Sequence, residues 1–234
     1  MNIAIILAGG VGNRLGTKIP KQFVEVLGKP IISYTIEIFE KHSEIDAIEI
    51  VCIKEYKELL EDIIKKYKYS KVRNIIDGGK NFQESVINSV SNLNGRIDDD
   101  DIILFHCAVS PIITDEIISD GIKVCKEKHN AVSATPFYML SGYNDDGIKS
   151  TKYIDRDTIM VLTNPFTFKY GYIKELYKEA KEKNMLDKVD PHITSLMYAL
   201  NKTVYFSKGS QKNIKITTKE DLELFEAYIV YKNK

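Results

Sequence analysis

Residues 3–10 read Ile-Ala-Ile-Ile-Leu-Ala-Gly-Gly, and this stretch decides the fold class. The run from Ile3 to Leu7 is continuously apolar, which is typical of a strand buried on both faces of a parallel sheet. Gly9 and Gly10 follow it, so the strand leads into a loop where the backbone can approach a ligand closely. The sequence therefore predicts a buried first strand whose carboxyl end carries a binding loop.

Apolar strands and amphipathic helices alternate from this strand to about residue 135. The predicted strands are 47–53, 72–76, 102–105 and 131–135. The predicted helices are 31–41, 56–67, 84–93 and one that Thr114 is expected to cap and that runs to about residue 128. This order predicts an α/β fold with a doubly wound, mostly parallel sheet and right-handed crossovers. Ligands of such sheets bind at the carboxyl ends of the strands.

The pattern changes after Pro136. Asp146-Gly147 is a hairpin signal, which predicts a β-arm projecting at about residues 137–157. Helices are then predicted at 168–183, 194–200 and 219–231, with a short strand at 204–207. Because no linker or repeat interrupts the chain, residues 1–234 are interpreted as a single domain with this arm.

Composition excludes several classes of protein. Lys and Arg together number 33, as do Asp and Glu, so a generally basic nucleic-acid-binding protein is not expected. No apolar run approaches the ~18 residues of a membrane span, and no signal peptide is expected. The cysteines Cys52, Cys107 and Cys125 form no C-x-x-C pair, which favours a reducing, cytoplasmic setting over a disulfide framework.

The first loop is predicted to bind phosphate. Its glycines can direct backbone N–H groups at an anion, and Arg14 and Lys21 can contact phosphate oxygens. The loop is not a P-loop, and Leu15 occupies the place of the third glycine of a dinucleotide fingerprint. The alternative is a glycine-rich turn with solvated basic residues.

Four segments, in order, resemble one enzyme family. The first loop, L-A-G-G-x-G-x-R-x(6)-K-Q, resembles the nucleotide-binding loop of CTP-dependent cytidylyltransferases, in the branch of the ribitol-5-phosphate and 2-C-methyl-D-erythritol 4-phosphate enzymes. The other three matching segments are Gly78-Gly79 with Ser85-Val86, the stretch 106–111 against a family H-D-x-x-R-P motif, and 213–218 with Asp221 against N-I-K-x-T-x-x-D. The resemblance implies a Rossmann-like nucleotidyltransferase fold.

The resemblance also implies roles for individual residues. It assigns nucleotide binding through the backbone to Ala8, Gly9 and Gly10, contacts with cytosine and ribose to Gly79 and Ser85, and catalytic contacts with the triphosphate to Arg14, Lys21 and Lys215. Arg156 would bind the phosphate of the acceptor from an arm that crosses into the partner of a homodimer. Mg²⁺ would bridge triphosphate oxygens.

The chain departs from the family pattern at the metal and acceptor motifs. Cys107 replaces the aspartate that helps hold magnesium, Ser110 and Phe82 replace arginines, Met139-Leu140 replaces Asp-Thr, and Asn164-Pro165-Phe166 replaces Thr-Pro-Gln. The metal ligands are therefore unknown, because a thiol is a poor ligand for Mg²⁺. Either the acceptor half is rebuilt and CTP itself carries the metal, which we favour, or the chain is a weak enzyme or a non-catalytic CTP-binding regulator.

The predicted function is transfer of CMP from CTP to a small polyol phosphate, with release of pyrophosphate. Lys208-Gly209 and the run 213–218 look closer to the ribitol-phosphate branch, which implies a step in making a surface polymer such as a teichoic-acid-like chain. The methylerythritol step of isoprenoid synthesis is the alternative. The expected partners are CTP and the polyol phosphate, with no nucleic acid and no membrane.

Overall fold

The computed structural model describes residues 1–10, 16 and 19–233, and its centre is a seven-stranded sheet. The strands of the chain are β1 (Asn2–Ala8), β2 (Glu25–Val26), β3 (Lys29–Pro30), β4 (Ala47–Cys52), β5 (Val72–Asp77), β6 (Ile102–Cys107), β7 (Asn130–Pro136), β8 (Met160–Lys169) and β9 (Phe206–Lys208). The sheet has the order β5-β4-β1-β6-β8-β7-β9, and β2 pairs with β3 separately.

Strand directions confirm the mostly parallel sheet. β1 lies parallel to β4 on one side and to β6 on the other, and β4 lies parallel to β5. Among the described strands of the seven-stranded sheet, only β8 runs antiparallel to its neighbours, β6 and β7, and β2 and β3 pair antiparallel in their separate sheet. The carboxyl ends of β1, β4, β5 and β6 therefore meet at one edge, where the first loop begins.

Helices cover both faces of the sheet. They are α1 (Ile31–Lys41), α2 (Lys57–Tyr67), α3 (Phe82–Asn92), α4 (Asp115–Lys128), α5 (Tyr170–Glu182), α6 (Ile193–Ala199) and α7 (Lys219–Lys232). Side chains of β1 alternate between the faces, with Ile6 packed among α1, α2 and α4 and Ile5 among α3, α5 and α6. Both are fully buried, as the continuous apolar run predicted. None of the helices in the described part of the chain is long and apolar enough to cross a bilayer.

A third apolar cluster holds the segment before α7 against the body. Ile216 is fully buried with Val109 and with Phe225 of α7, whose ring meets Tyr34 edge to face at 5.1 Å between centroids. Thr218 and Asp221 form a capping box that starts α7. The position of residues 213–217 is thus fixed from both sides.

The largest error of the sequence prediction is β8. Residues 160–169 form a ten-residue strand where the pattern gave none, and the helix predicted from residue 168 begins at Tyr170. Proline normally argues against a central strand because it cannot donate to the ladder. Here the β7–β8 register shifts between Val132 and Ser133, so Pro165 lies in a bulge.

One smaller prediction is wrong, and another is right with shifted bounds. Thr114 occupies the residue before α4, but its side chain makes no capping hydrogen bond. The short strand predicted at 204–207 is confirmed as β9, with its bounds shifted to Phe206–Lys208, and it adds to the edge of the sheet beside β7.

The arm between β7 and β8 is a loose antiparallel excursion. Tyr143 N–H donates to the carbonyl of Lys152, and Ile154 N–H donates to that of Ser141, both at 2.9 Å. Gly147 takes a positive φ of 82° at the turn, as the hairpin signal predicted. The interpretation of residues 1–234 as a single domain stays a prediction.

Candidate active site

A cleft of about 420 Å³ opens at the carboxyl edge of the sheet. Its wall brings together most of the predicted site residues, from segments far apart in sequence: Ala8, Gly9, Gly10, Lys21, Gly79, Ser85 and Lys215. Arg14 lies outside the described residues. The cleft is therefore where the sequence analysis placed the nucleotide.

Two glycine loops face each other across one end of this cleft. A Cβ added at Gly9 would lie 3.9 Å from the Cα of Gly78, and one added at Gly79 would lie 2.8 Å from the backbone nitrogen of Ser85. The second distance is too short for any real side chain, so residue 79 must be glycine in this conformation. The Ser85 hydroxyl accepts a hydrogen bond from Gly79 N–H and donates to the carbonyl of Asn81, each at 3.0 Å. Ser85 thus holds the loop in shape as well as lining the cleft.

The first loop is held by a residue to which the sequence analysis gave no role. Gln22 is almost completely buried, and its amide donates to the carbonyls of Ala8 at 2.7 Å and Gly10 at 3.1 Å. These two bonds satisfy the carbonyl oxygens of Ala8 and Gly10 and hold the loop against Gln22. The signal was available, because Gln22 directly follows Lys21 in the K-Q pair of the motif.

Two lysines bring positive charge to the cleft from different elements. Lys21 Nζ donates to the carbonyl of Ile216 at 2.8 Å, so it also ties the first loop to the segment that carries Lys215. Cys107 lies at the end of β6 near both lysines. Burial raises the pKa of its thiol, while the charges of Lys215 and Lys21 act in the opposite direction.

A second, larger cavity of about 910 Å³ adjoins the cleft. Phe82, Cys107 and Lys215 line both spaces, so a ligand in one can reach a ligand in the other. Beyond this shared wall the cavity is lined by hydroxyl and amide side chains together with apolar ones. The neutral polar members include Thr135, Thr163, Thr194, Ser195, Gln211 and Asn213.

The structure does not bring Arg156 to this site within one chain. Its guanidinium lies on the exposed arm and donates to the carbonyl of Tyr138 at 3.1 Å. Arg156 lines a separate cavity of about 570 Å³ with Asp155 and Asp157. Any contact between Arg156 and the acceptor would therefore need an arm from another molecule or a movement of this one.

Comparison with known proteins gives the family. The sequence model of IspD, 2-C-methyl-D-erythritol 4-phosphate cytidylyltransferase, matches residues 2–231. The chain belongs to the IspD family of cytidylyltransferases. It is 38% identical to a ribitol-5-phosphate cytidylyltransferase of Lacticaseibacillus paracasei, over 98% of each chain. It is 37% identical to a 2-C-methyl-D-erythritol 4-phosphate cytidylyltransferase of Clostridium novyi, over 97% of this chain and 96% of the relative.

Solved structures share the IspD fold. The 4-diphosphocytidyl-2C-methyl-D-erythritol synthase of Anaerococcus prevotii superposes with a TM-score of 0.82 at 23% identity, covering 97% of this chain and 95% of the other. The Francisella tularensis IspD superposes with a TM-score of 0.76 at 26% identity, covering 97% and 98%. These matches confirm the α/β nucleotidyltransferase fold, and the family match and the curated relatives show a nucleotidyltransferase.

This IspD-family chain has no carboxylate among the described residues that line its cleft. The undescribed positions 11–15, 17–18 and 234 contain no Asp or Glu either. Nor do the described residues contain a group of three or more His, Cys, Asp or Glu side chains arranged to hold a metal. Since Mg²⁺ prefers carboxylate, phosphate and water oxygens, the side chains present do not offer it a protein-built site.

Phe82 lines both the cleft and the larger cavity, and His192 lines the larger cavity. Their ring centroids are 5.2 Å apart, and both side chains line the larger cavity. The motif resemblance implies an arginine at position 82, where the structure has this aromatic contact. Asp190 Oδ1 lies 3.8 Å from His192 Nε2.

Proposed function

We propose that this protein transfers CMP from CTP to ribitol 5-phosphate or a closely similar alditol phosphate, with release of pyrophosphate. The observation that carries this proposal is the wall shared by the nucleotide cleft and the larger cavity, which contains Lys215. Full-length identity of 38% to a relative named ribitol-5-phosphate cytidylyltransferase supports the choice of acceptor. Its product would feed a surface polymer that contains alditol phosphate.

The reaction needs charge and positioning more than acid–base catalysis. An oxygen of the acceptor phosphate, already anionic, attacks the α-phosphorus of CTP. A new O–P bond forms while the bond from the α-phosphorus to the bridging oxygen breaks, and that oxygen leaves with pyrophosphate. Lys21 and Lys215, which both line the cleft, are placed to neutralise the developing charge. Arg14 would add to this charge from the first loop.

The cavity suits a polyol. Hydroxyl and amide side chains both donate and accept hydrogen bonds, as the hydroxyl groups of an alditol do. Asn213 lines this cavity with its Oδ1 buried and unpartnered, which is costly unless a ligand donor completes it. In our proposal Lys215 faces the acceptor phosphate at the shared wall and the hydroxyl chain extends into the cavity.

We propose that Mg²⁺ enters bound to the triphosphate, whose phosphate oxygens replace the ligands that the protein does not offer.

We also propose a homodimer in which the arm of one chain contributes to the acceptor site of the other. The arm exposes large apolar side chains, with Leu140 at 91% and Ile148 at 92% exposure, which a partner would cover. The unpaired cysteines fit a cytoplasmic protein.

The methylerythritol acceptor is the alternative, because the Clostridium novyi relative that carries that name is almost equally similar. A non-catalytic CTP-binding regulator is the second alternative, because Cys107 stands where the resemblance implies an aspartate.

The deciding assay incubates the protein with CTP, Mg²⁺ and a panel of acceptors, and measures the release of pyrophosphate. The panel contains alditol phosphates, among them ribitol 5-phosphate, and 2-C-methyl-D-erythritol 4-phosphate.

Turnover of ribitol 5-phosphate would support the proposal. Turnover of methylerythritol phosphate alone would overturn the acceptor, and CTP binding without pyrophosphate release would favour the regulator. Lys183→Ala is the matched control for variants of the cleft lysines, because Lys183 pairs with Glu179 on the surface of α5 and the next loop.

The crossed-arm dimer makes a prediction about mixed chains. Arg156→Ala should raise the KM for the acceptor while leaving that for CTP nearly unchanged. If the arm acts in the partner's site, mixing Arg156→Ala chains with inactive Lys21→Ala chains should restore turnover, because one site of each mixed dimer then carries neither substitution. Absence of restoration, with subunit exchange verified by mass, would show that the arm serves its own chain.

A further inference from the structure

Asn164 lies at a bulge where β8 leaves the regular ladder. The β6–β8 pairing runs from Ile102 to Phe105, whose partner is Phe166, and it stops there. On the other side of β8, Phe166 pairs with Val132, but the next pair joins Thr163 to Ser133. Asn164 therefore has no residue opposite it in either ladder. A bulge of this kind commonly redirects a side chain near a site.

Where the β6–β8 ladder ends, the side-chain amide of Asn164 forms hydrogen bonds to the segment that follows β6. Its Oδ1 accepts the N–H of Cys107 at 2.6 Å, two residues beyond the last β6–β8 pair. Its Nδ2 donates to the hydroxyl of Ser110 at 3.2 Å. Ser110 N–H in turn donates to the carbonyl of Cys107 at 3.1 Å. One side chain thus braces the complete turn 107–110 beneath the wall between cleft and cavity.

The backbone of Asn164 reaches the segment that carries Lys215. The side chain of Asn213 donates to the carbonyl of Asn164 at 2.6 Å. Three residues later, Ile216 N–H donates to the carbonyl of Val109, within the same turn, at 2.8 Å. Lys215 is therefore held between two anchored neighbours, and both anchors lead back to the structure that Asn164 braces.

The connected residues are also the places where the chain departs from the family pattern. The motif resemblance implies other residues at Cys107, Ser110 and Asn164, and Asn164 bonds directly to the other two. Ser110 is completely buried and Asn164 is 5% exposed, so these bonds are shielded from water. A buried polar network is stabilising only when its members match each other. Asn164 therefore joins Cys107 and Ser110 in one buried hydrogen-bond network.

We propose that Asn164 is a positioning residue for CMP transfer, whose amide fixes the turn 107–110 and, with Asn213, sets Lys215 at the wall where the two substrates meet. This inference rests on the proposed transfer reaction. Asn164 itself lines only the larger cavity, and Lys215 acts mainly on the charge that develops during transfer, so removing Asn164 should weaken CTP binding much less than it slows transfer. The substitution should instead lower kcat, the rate of transfer in the complex with both substrates bound.

The first experiment compares kcat and CTP affinity in Asn164→Ala. Misplacing a catalytic group by about 1 Å can cost on the order of 100-fold, so we expect kcat to fall by about 30- to 100-fold with the Kd for CTP changed less than about 3-fold. Asn92→Ala is the matched control, because the Asn92 amide also bonds to a protein acceptor, Glu49 Oε2 at 3.1 Å, but lines neither cavity. An unchanged kcat in Asn164→Ala, or equal losses of kcat in both variants, would overturn the proposal.

A double-variant comparison tests whether Asn164 and Ser110 act together. We expect Ser110→Ala to reduce kcat by about 5-fold and the double variant Asn164→Ala/Ser110→Ala to be no slower than Asn164→Ala alone, because both remove the same contact. Losses that multiply would contradict a shared network. Should Asn164→Ala fail to fold, Ser110→Ala and Asn164→Ser give the same kcat and Kd comparison.

Backbone amide hydrogen exchange tests the positioning role of Asn164 without any acceptor present. In the ligand-free protein, Asn164→Ala should speed exchange in residues 102–110 and 209–217 and leave α2, on the far side of β4, unchanged. Unaltered exchange in those two segments would overturn the positioning role even if no acceptor were turned over. Failure of the wild-type chain to use ribitol 5-phosphate, with exchange altered as expected, would instead overturn the proposed acceptor alone.

Discussion

His106 should make the protein lose stability in mild acid. Its ring is completely buried on β6, 5.1 Å from the ring of Phe39 between centroids. Nε2 lies 2.9 Å from the carbonyl of Ser110, so the neutral ring carries its proton on Nε2 and donates there. Nδ1 is buried without a partner. A second proton would have to sit on Nδ1, where no acceptor receives it.

Burial lowers the pKa of His106 to about 4, while the hydrogen bond to Ser110 opposes this shift. The ordinary value of a histidine, which the unfolded chain has, is about 6.5. Because the unfolded chain then binds the proton more readily, stability is complete above about pH 6.5 and falls as the pH drops towards 4. The difference corresponds to about 3 kcal/mol, a large part of the net stability of a typical domain.

The assay is urea unfolding of the wild type and of His106→Leu at intervals from pH 7.5 to pH 4. Carboxylates contribute to the pH dependence of both proteins, so the difference between the two curves isolates His106. Wild type should lose about 3 kcal/mol more than the variant over this range. His129→Asn is the control, since His129 is exposed and in the left-handed region that asparagine tolerates, and it should follow the wild-type curve. Parallel curves for wild type and His106→Leu would refute the reasoning.

Three further predictions concern the cleft. Lys21→Ala should lower kcat by at least about 100-fold, the scale of one preorganised charge contact, and a near-normal rate in steady-state assays would refute its catalytic role. Cys107→Asp should lower the Mg²⁺ concentration needed for half-maximal rate, because a carboxylate is a better ligand for this ion; an unchanged Mg²⁺ titration would place the metal elsewhere. Gly79→Ala should weaken CTP binding by at least about 10-fold in calorimetry, because its Cβ would lie 2.8 Å from Ser85 N and force the loop apart. Gly95→Ala, at a site with open space but a positive φ, is the control that should cost stability without changing CTP affinity.

Much of the fold could be predicted because local signals agreed. The helix at 31–41 was predicted with the bounds that the structure has, since Pro30 sets its start and the apolar spacing sets its buried face. β8 could not be predicted in this way. Its Asn-Pro pair reads as a turn, and only pairing with β6 and β7, which lie more than 20 residues away in sequence, makes the segment a strand.

Part of the candidate site could also be predicted from the sequence, and part of it could not. Motif order was enough to place Gly79, Lys21 and Lys215 at one cleft, because parallel strands bring their following loops to a common edge. The second cavity and the role of Asn164 could not be predicted. They depend on side chains from β7, β8, α6 and the segment before α7, and no local spacing relates those elements.

The reversed direction of β8 determines how the arm can change during evolution. Pro136 and Met160 face each other in one antiparallel ladder, so the arm leaves and re-enters the sheet at the same place. The entropic cost of closing such a loop grows only slowly with its length. Residues 137–159 can therefore be lengthened, shortened or exchanged between relatives without altering the register of the sheet. The nucleotide cleft, at the carboxyl ends of β1 and β6, would keep its structure while the arm at the same edge of the sheet changes the acceptor site.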